Sequence, residues 1–170
     1  MHLGLIGGIG PSATVVYYQR LVQHFRTIGA PLELTIVNAD VHTLVANALA
    51  DRKSQQAAIY ARHIDQLKGA GADVATITSL GGHFCYGETV AVSSLPLISA
   101  IEPLDAHFAA QGIRTVGLLG TEQVMSSELY GQLEATTPVV SDQDLDALGK
   151  VYLDVATSGS CTDAQRQVFF

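Results

Sequence analysis

Hydroxyl and imidazole side chains stand together at one place in this sequence where they could do chemistry. Ser79 comes directly after the apolar run 74–78 and is followed by Leu-Gly-Gly-His at 80–83. A serine hydroxyl can donate a hydrogen bond, or transfer a proton when a base lies beside it, and a histidine about one helical turn away can polarise it. We therefore predict that Ser79 is an acid/base or a hydrogen-bond donor, with a helix N-cap as the structural alternative. His83 is the neighbouring candidate, and a histidine bonded to a backbone carbonyl is the alternative for it.

Two further loops combine glycine with a hydroxyl residue. Gly8, Gly10 and Ser12 follow one short apolar run, and Thr121 follows another that ends at Gly120. Glycine lets a ligand approach the backbone, and the free N–H groups at the start of the next helix favour an anion. The pattern predicts that these loops bind a small carboxylate or phosphate, although a hydroxyl at Thr121 also suits a helix cap.

The two cysteines, Cys85 and Cys161, do not form a spaced framework and are expected as free thiols. Cys85 lies at an apolar helix start, where a small core residue is expected rather than a displaced nucleophile. Cys161 lies in Ser-Cys-Thr-Asp, where we expect a turn before a helix that Thr162 caps. Histidines and cysteines do not cluster at metal-ligand spacing, so no metal site is expected.

Alternating strands and helices must position these residues. Apolar and β-branched runs predict strands at 3–6, 34–37, 74–78, 95–99, 115–119 and near 139. Helical spacing predicts helices at about 12–25, 54–68, 102–111, 126–134 and 145–156, with the first turns of another at 169–170. This order indicates an α/β fold with open parallel sheets, in which ligands bind beyond the carboxyl ends of the strands. The three loops are expected at that edge.

The sequence divides into two similar halves. Gly-Leu-Ile-Gly at 4–7 is echoed by Gly-Leu-Leu-Gly at 117–120, which indicates a weak internal repeat. We predict two flavodoxin-like βα domains, 1–100 and 101–170, related by pseudo-two-fold symmetry. The second half supplies only two strands, whereas a parallel sheet is normally covered on both faces, so this domain is expected to be truncated. Apolar strand surface left uncovered favours a homodimer.

Charge and hydropathy limit the partners. The chain carries 9 Lys and Arg against 16 Asp and Glu, with a net charge of −7. Nucleic-acid backbones and anionic membranes both favour clustered basic residues, so neither is an expected partner. Continuous apolar runs stay short of the roughly 20 residues that span a bilayer, and no basic leader precedes the first of them. We expect a cytoplasmic protein that binds a small molecule.

Three ordered segments resemble the aspartate/glutamate racemase family. Residues 4–14, followed by Tyr17 and Tyr18, are similar to the family's opening G-[IL]-[IL]-G-G-M-G-P-x-A-T segment. Residues 71–83 are similar to its strand and first catalytic loop, whose pattern is C-N-T-x-H, and residues 116–130 are similar to the segment that opens its second domain. The similarity spans essentially the whole chain.

The resemblance implies a cofactor-independent racemase with the substrate between two similar α/β domains. Its two-base mechanism removes a proton from one face of Cα of aspartate, glutamate or a related small amino acid, and delivers one to the other face. Aligning His83 with the family's histidine places the first catalytic cysteine at Ser79 and the following Asn and Thr at Leu80 and Gly81. The second catalytic cysteine, in a G-C-T-E segment, is expected beyond Phe170, and Cys161 in the similar Ser-Cys-Thr-Asp segment is the less favoured alternative. The implied substrate-binding residues are Gly8, Gly10, Ser12, Leu80, Gly81, His83 and Thr121.

Two other functions compete with catalysis. A catalytically inactive relative is one, because the chain has a hydroxyl at the first thiol position and lacks the second base. A dinucleotide-binding module is the other, because residues 8–13 fit G-x-G-x-x-A and Asp40 closes the second strand where a ribose-binding acid would lie. Pro11 stiffens that loop against wrapping pyrophosphate, and the dinucleotide hypothesis leaves the segment around Ser79 unexplained.

Overall fold

Two parallel sheets, each with its own helices, are formed by residues 1–8 and 10–169, which this computed structural model describes. Ile9, in the first predicted loop, and Phe170, in the predicted last helix, lie outside the described residues. The sheets belong to two compact units, Met1–Ser99 and a second unit that starts at Ala100. Strands and helices alternate along the chain, so the predicted α/β class with open parallel sheets is confirmed.

In its described residues, the first unit contains four strands, four α-helices and one 3₁₀ helix. They are β1 (His2–Gly7), α1 (Pro11–Thr27), β2 (Glu33–Asn38), α2 (Val41–Leu49), α3 (Lys53–Gly69), β3 (Val74–Ile77), a 3₁₀ helix (Gly81–Cys85), α4 (Tyr86–Val92) and β4 (Leu97–Ile98). All four strands run parallel, in the order β2-β1-β3-β4.

The core of the first unit lies between β1 and α3. Residues 3–7 of β1 are all buried, as expected for a continuous apolar strand in a parallel sheet. Tyr60, Ile64 and Leu67 lie at helical spacing on α3 and are fully buried. Gly4 allows this contact, because a Cβ there would lie 2.9 Å from Cδ1 of Leu67. This packing fixes β1 as the central strand from which the functional loops extend.

The strand order predicts a crevice at one edge of this sheet. The chain passes from β1 to β2 on one side of the sheet and then returns to place β3 on the other side of β1. In an open parallel sheet, the point where the order reverses leaves a crevice at the carboxyl ends of the two neighbouring strands, and ligands bind there. The loops that follow β1 and β3 are therefore the ones to examine for a site.

The second unit has a smaller sheet. Its elements are α5 (Leu104–Ala110), β5 (Thr115–Gly117), α6 (Glu122–Ser126), a 3₁₀ helix (Leu129–Gly131), β6 (Thr137–Val139), α7 (Leu145–Ser158) and α8 (Asp163–Phe169). β5 and β6 pair in parallel, and Ile101, Val124 and Leu129 form a buried cluster. Within residues 1–8 and 10–169, no helix combines the length and the apolar content that crossing a membrane requires.

Three helix predictions differ from the structure, and one concerns the last helix, which begins at Asp163 and not at 169. No helix is predicted at 41–49, where α2 lies; Asp40 caps it by accepting a hydrogen bond from the backbone N–H of Thr43. The predicted helix at 126–134 is wrong, because Thr121 caps a helix that begins at Glu122 and ends at Ser126. Residues 128–130 then take positive φ angles of 49°, 60° and 61°, which a right-handed α-helix cannot contain.

Candidate functional site

Ser79 lies just beyond the carboxyl end of β3, at the crevice beside β1. Thr78 and Ser79 follow the last strand residue, and a turn into the 3₁₀ helix comes next. The backbone N–H of Gly82 donates to the carbonyl of Ser79 at 3.2 Å, and that of His83 donates to the carbonyl of Leu80 at 3.0 Å. The Ser79 side chain is half-buried, so its hydroxyl is held near the surface of the crevice by a short, hydrogen-bonded turn.

The side chain of His83 stabilises this turn. It is buried, and Nδ1 lies 2.7 Å from the carbonyl oxygen of Ser79. A carbonyl only accepts, so Nδ1 carries the proton in this bond. Burial lowers the pKa of the imidazole, with the bond to Ser79 opposing, so His83 is neutral at pH 7. The ring also stacks on Tyr86 at 5.2 Å, and this arrangement holds the backbone of Ser79 rather than polarising its hydroxyl through Nδ1.

Leu80 and Gly81 form the surface of the same turn. Leu80 is exposed and Gly81 is half-buried. A Cβ at Gly81 would lie 3.6 Å from Oγ of Ser79, which is an ordinary contact. Neither side chain supplies the polar group that an Asn or Thr would supply there, so contacts from these two positions are limited to the backbone and to apolar surface.

The loop after β1 faces the same crevice. Gly8 has φ +107°, and a Cβ there would lie 2.1 Å from the carbonyl oxygen of Ala39, so no other residue fits. Gly10 has φ +79° and precedes Pro11, the first residue of α1. Ser12 is exposed in the first turn of that helix. Gly8, Gly10 and Ser12 thus lie at the end of β1, next to the strand that ends at Ser79.

Two hydroxyls that sequence analysis missed join the two loops. Oγ1 of Thr14, in the first turns of α1, lies 2.9 Å from Oγ1 of Thr78. Thr78 in turn donates to the carbonyl of Ile6 in β1 at 3.0 Å. The two threonines are 64 residues apart in sequence, so only the fold brings them together. Both threonines lie within segments that resemble the racemase family, residues 4–14 and 71–83, and this position is the signal that could have identified them.

The cysteines do not provide a nucleophile in the first unit. Cys85 is buried, and burial raises the pKa of its thiol to about 11, so the thiolate is scarce at neutral pH. It contacts Thr89, whose Oγ1 lies 3.7 Å from Sγ. Cys161 is exposed in the turn between α7 and α8, where the Thr162 hydroxyl accepts from the N–H of Gln165 and caps α8. Both structural roles agree with the expectation from sequence.

Thr121 belongs to the second unit, where it begins α6. Its hydroxyl accepts a hydrogen bond from the N–H of Val124 at 3.4 Å, which is the geometry of an N-cap. The residue is half-buried, and the buried Gly120 before it packs closely on Val124. The long capping bond leaves the hydroxyl only weakly engaged. A substrate-binding role for Thr121 therefore stays a prediction beside its observed role as a cap.

Asp40 has a structural task at the end of β2. The hydroxyl and the N–H of Thr43 both donate to its carboxylate, and these bonds hold the pKa of Asp40 below its usual value. A carboxylate committed to capping α2 has less capacity to bind a ribose. The dinucleotide hypothesis thus gains no support from this strand end. Within the described parts of the chain, no three His, Cys, Asp or Glu side chains come together as a metal site.

Comparison with known proteins identifies the family and the fold. The model of the Asp/Glu/hydantoin racemase family matches residues 6–142. A candidate Asp/Glu racemase from Yersinia pestis superposes with a TM-score of 0.75 at 24% identity, covering 99% of this chain and 77% of its own. An aspartate racemase homologue from Pyrococcus horikoshii OT3 gives 0.70 at 22%, covering 98% and 76%. Picrophilus torridus aspartate racemase gives 0.66 at 19%, covering 94% and 76%.

These solved structures have the same fold as this chain, which spans about three quarters of their length. The family match covers most of the first unit, including the ends of β1 and β3, and continues through β6. The chain belongs to the Asp/Glu/hydantoin racemase family.

Proposed function

We propose that this protein is a cofactor-independent racemase that acts at Cα of aspartate, glutamate or a related small amino acid, with Ser79 at the first acid/base position. The observation that carries the proposal is the position of Ser79, directly after β3 and beside the glycine loop of β1, at the point where the strand order reverses. The family match supplies the class of reaction.

The crevice is suited to an amino-acid carboxylate. Pro11 has no N–H and that of Ala13 donates to the carbonyl of Gly10, so the donors proposed for the carboxylate are the backbone N–H groups of Gly8, Gly10 and Ser12. Removing the Cα proton leaves negative charge on the carboxylate oxygens, and fixed donors at those oxygens lower the barrier. In this proposal Gly8, Gly10, Ser12 and the turn at 80–83 bind the substrate in the first unit, and Thr121 stays a predicted substrate-binding residue of the second unit.

Ser79 is better suited to delivering a proton than to removing one. Because a serine hydroxyl is a much weaker acid than a thiol, it keeps its proton at neutral pH. It can accept the Cα proton only if an adjacent base takes its own proton first. Within the described residues, its Oγ forms no hydrogen bond to a basic side chain, since His83 uses Nδ1 on the backbone carbonyl. This observation favours a second candidate function, a catalytically inactive relative that still binds an amino acid.

Loss of Cα deuterium separates these functions. Deuterium-labelled L- and D-aspartate and L- and D-glutamate are incubated with the chain, and each isomer is followed by NMR. Exchange from both isomers supports a two-base racemase, and exchange from one isomer supports a single working base. Retention of deuterium in all four compounds would show that the protein does not act on these amino acids.

We also propose that the chain forms a homodimer. The support is uncovered apolar surface: α1 contains no buried residue, and its Val15, Val16 and Tyr18 side chains are 51%, 45% and 48% exposed. Apolar surface of this kind on a helix is normally covered in solution by another surface.

A further inference from the structure

The hydrogen bonds of the Thr14–Thr78 pair have a fixed direction. A carbonyl oxygen only accepts, so the hydroxyl of Thr78 spends its single hydrogen on the carbonyl of Ile6 at 3.0 Å. The hydrogen between the two threonine oxygens, which lie 2.9 Å apart, then comes from Thr14. Oγ1 of Thr14 has thus donated its hydrogen, and towards any other group it can only accept.

Thr14 is held at the crevice by close packing. A Cβ on Gly7, the last residue of β1, would lie 2.8 Å from both Oγ1 and Cγ2 of Thr14. Glycine at this position therefore lets the threonine side chain lie directly over the end of β1. The Thr14 side chain is half-buried, and its partner Thr78 is the residue immediately before Ser79. Oγ1 of Thr14 is thus an acceptor of fixed direction, bonded to the residue that directly precedes Ser79.

The donors at this end of the sheet suit only the carboxylate of an amino acid. The start of α1 and the glycine loop supply N–H donors, which suit a carboxylate but repel an ammonium group. Asp40, after β2, caps α2 by accepting two hydrogen bonds from Thr43 at one of its oxygens, Oδ2. An amino acid carries an ammonium group on the same carbon whose proton is removed, so a site for amino acids needs an acceptor close to the acid/base.

We propose that Oγ1 of Thr14 accepts a hydrogen bond from the α-ammonium group of the substrate, with Thr78 as the positioning residue that fixes the direction of the Thr14 hydroxyl. This inference rests on the proposed amino-acid substrate. In this proposal Thr14 and Thr78 make the site prefer an amino acid over the corresponding acid without an amino group.

The test compares binding of L-aspartate with binding of succinate, which has the same two carboxylates and no amino group. Calorimetric titration of the whole chain gives the ratio of the two association constants. A hydrogen bond to a charged group contributes about 1.5–3 kcal/mol, so Thr14→Val is expected to lower the aspartate-to-succinate ratio by about tenfold or more. Thr14→Ser keeps the hydroxyl and is expected to restore the ratio.

Two further variants separate direction from packing. Thr78→Val removes the acceptor of the Thr14 hydrogen and is expected to lower the ratio by a smaller factor, although Thr78 does not contact the ligand in this proposal. Thr27→Val is the control, because Thr27 lies on the same helix and bonds only to the carbonyl of Gln23 among the contacts seen here. It is expected to leave the ratio unchanged.

The inference is overturned if Thr14→Val weakens both ligands equally, if it changes neither, or if the wild-type chain binds no aspartate. Because aspartate binding can be measured whether or not the chain exchanges the Cα proton, failure of this inference is distinct from failure of the racemase proposal. A lowered ratio without Cα exchange leaves the role of Thr14 standing and removes the catalytic claim. Cα exchange with an unchanged aspartate-to-succinate ratio leaves the catalytic claim standing and removes the role of Thr14.

Discussion

At the scale of single residues, the two thiols of this chain have opposite environments. Cys85 is buried beneath the turn that carries Ser79, and burial raises its pKa to about 11, whereas Cys161 is exposed in the turn before α8. Reactivity of a cysteine follows its thiolate fraction and its access to solvent. Cys85, the thiol of the first unit, is therefore not suited to replace Ser79 as an acid/base.

Alkylation provides a direct check on these environments. At pH 8, about one in a thousand Cys85 side chains is a thiolate, because the pH is about three units below its pKa. We expect iodoacetamide to label Cys161 in the native protein and to leave Cys85 unlabelled until the first unit unfolds. Peptide mass spectrometry after timed quenching distinguishes the two sites. Native labelling of Cys85 at a rate similar to that of Cys161 would contradict its burial.

At the scale of elements, the end of β1 depends on a backbone that only glycine can adopt. Gly8→Ala combines a positive φ with a Cβ placed against the carbonyl of Ala39 and is expected to destabilise the first unit by about 3 kcal/mol or more. Gly29→Ala is the matched control, because Gly29 has φ +66° and open space around it. It is expected to cost only about 1 kcal/mol. Urea unfolding measures both, and equal costs would show that the Ala39 contact is unimportant.

The link between α5 and the segment before β6 predicts a pH dependence in the second unit. The carboxylate of Asp105 accepts from the backbone N–H groups of Glu134, Ala135 and Thr136, and the first two bonds are the main cause of its lowered pKa. A carboxyl with a lowered folded-state pKa stabilises the fold above its ordinary pKa of about 3.9. That stability is lost as the pH falls through 3.9 towards the folded-state pKa.

Asp105→Asn tests this link. We expect the variant to be less stable than the wild type at pH 7, because a neutral amide is a weaker acceptor for three N–H groups. The difference should shrink as the pH falls below about 4, since the wild-type carboxyl is then protonated. Thermal unfolding from pH 3 to pH 7 gives the comparison. A difference that is constant over this range would show that the charge of Asp105 is not involved.

Strands and helices could be predicted where burial and the spacing of apolar residues agree. They could not be predicted where the local backbone conformation overrides the helix or strand preferences of the residues. The run that forms β1 is continuous and apolar because residues 3–7 are buried in a parallel sheet, whereas only Ala75 and Ile77 of β3 are buried. Residues 126–134 have helical preferences, but the left-handed backbone at 128–130 has no signal in Glu, Leu or Tyr. Asp40 was assigned to a possible ribose contact, although Asp-Val-His-Thr at 40–43 also carries a capping signal that the structure uses.

The candidate site shows the same limit. Its loops could be located because glycines and hydroxyls follow apolar runs, which places them at the carboxyl edge of a sheet. The bond between Thr14 and Thr78 could not be predicted, because it depends on the strand order that places β3 beside β1. From sequence, His83 could either polarise Ser79 or bond to a backbone carbonyl. The geometry of the turn shows the second role, with Nδ1 bonded to the Ser79 carbonyl.

At the scale of the whole molecule, the uncovered face of α1 determines the expected association state. Apolar side chains that are about half exposed at Val15, Val16 and Tyr18 favour contact with a second copy. Light scattering on the purified chain is expected to give about twice the 17.9 kDa chain mass, and Tyr18→Glu is expected to shift it towards 17.9 kDa. A mass of 17.9 kDa for the wild type at all concentrations would contradict the homodimer.

The central claim is that Ser79 occupies the first acid/base position of a racemase, and Cα exchange in matched variants tests it most directly. Loss of deuterium from labelled aspartate and glutamate is compared in the wild type, in Ser79→Ala, in Ser79→Cys and in Ser54→Ala, an exposed serine on α3. A positioned acid or base contributes roughly 10²–10⁴-fold, so Ser79→Ala should lose at least about a hundredfold in rate while Ser54→Ala keeps the wild-type rate. Ser79→Cys should exchange faster than the wild type, because a thiol is the stronger acid. Measurable exchange that is unchanged in both Ser79 variants would contradict the account.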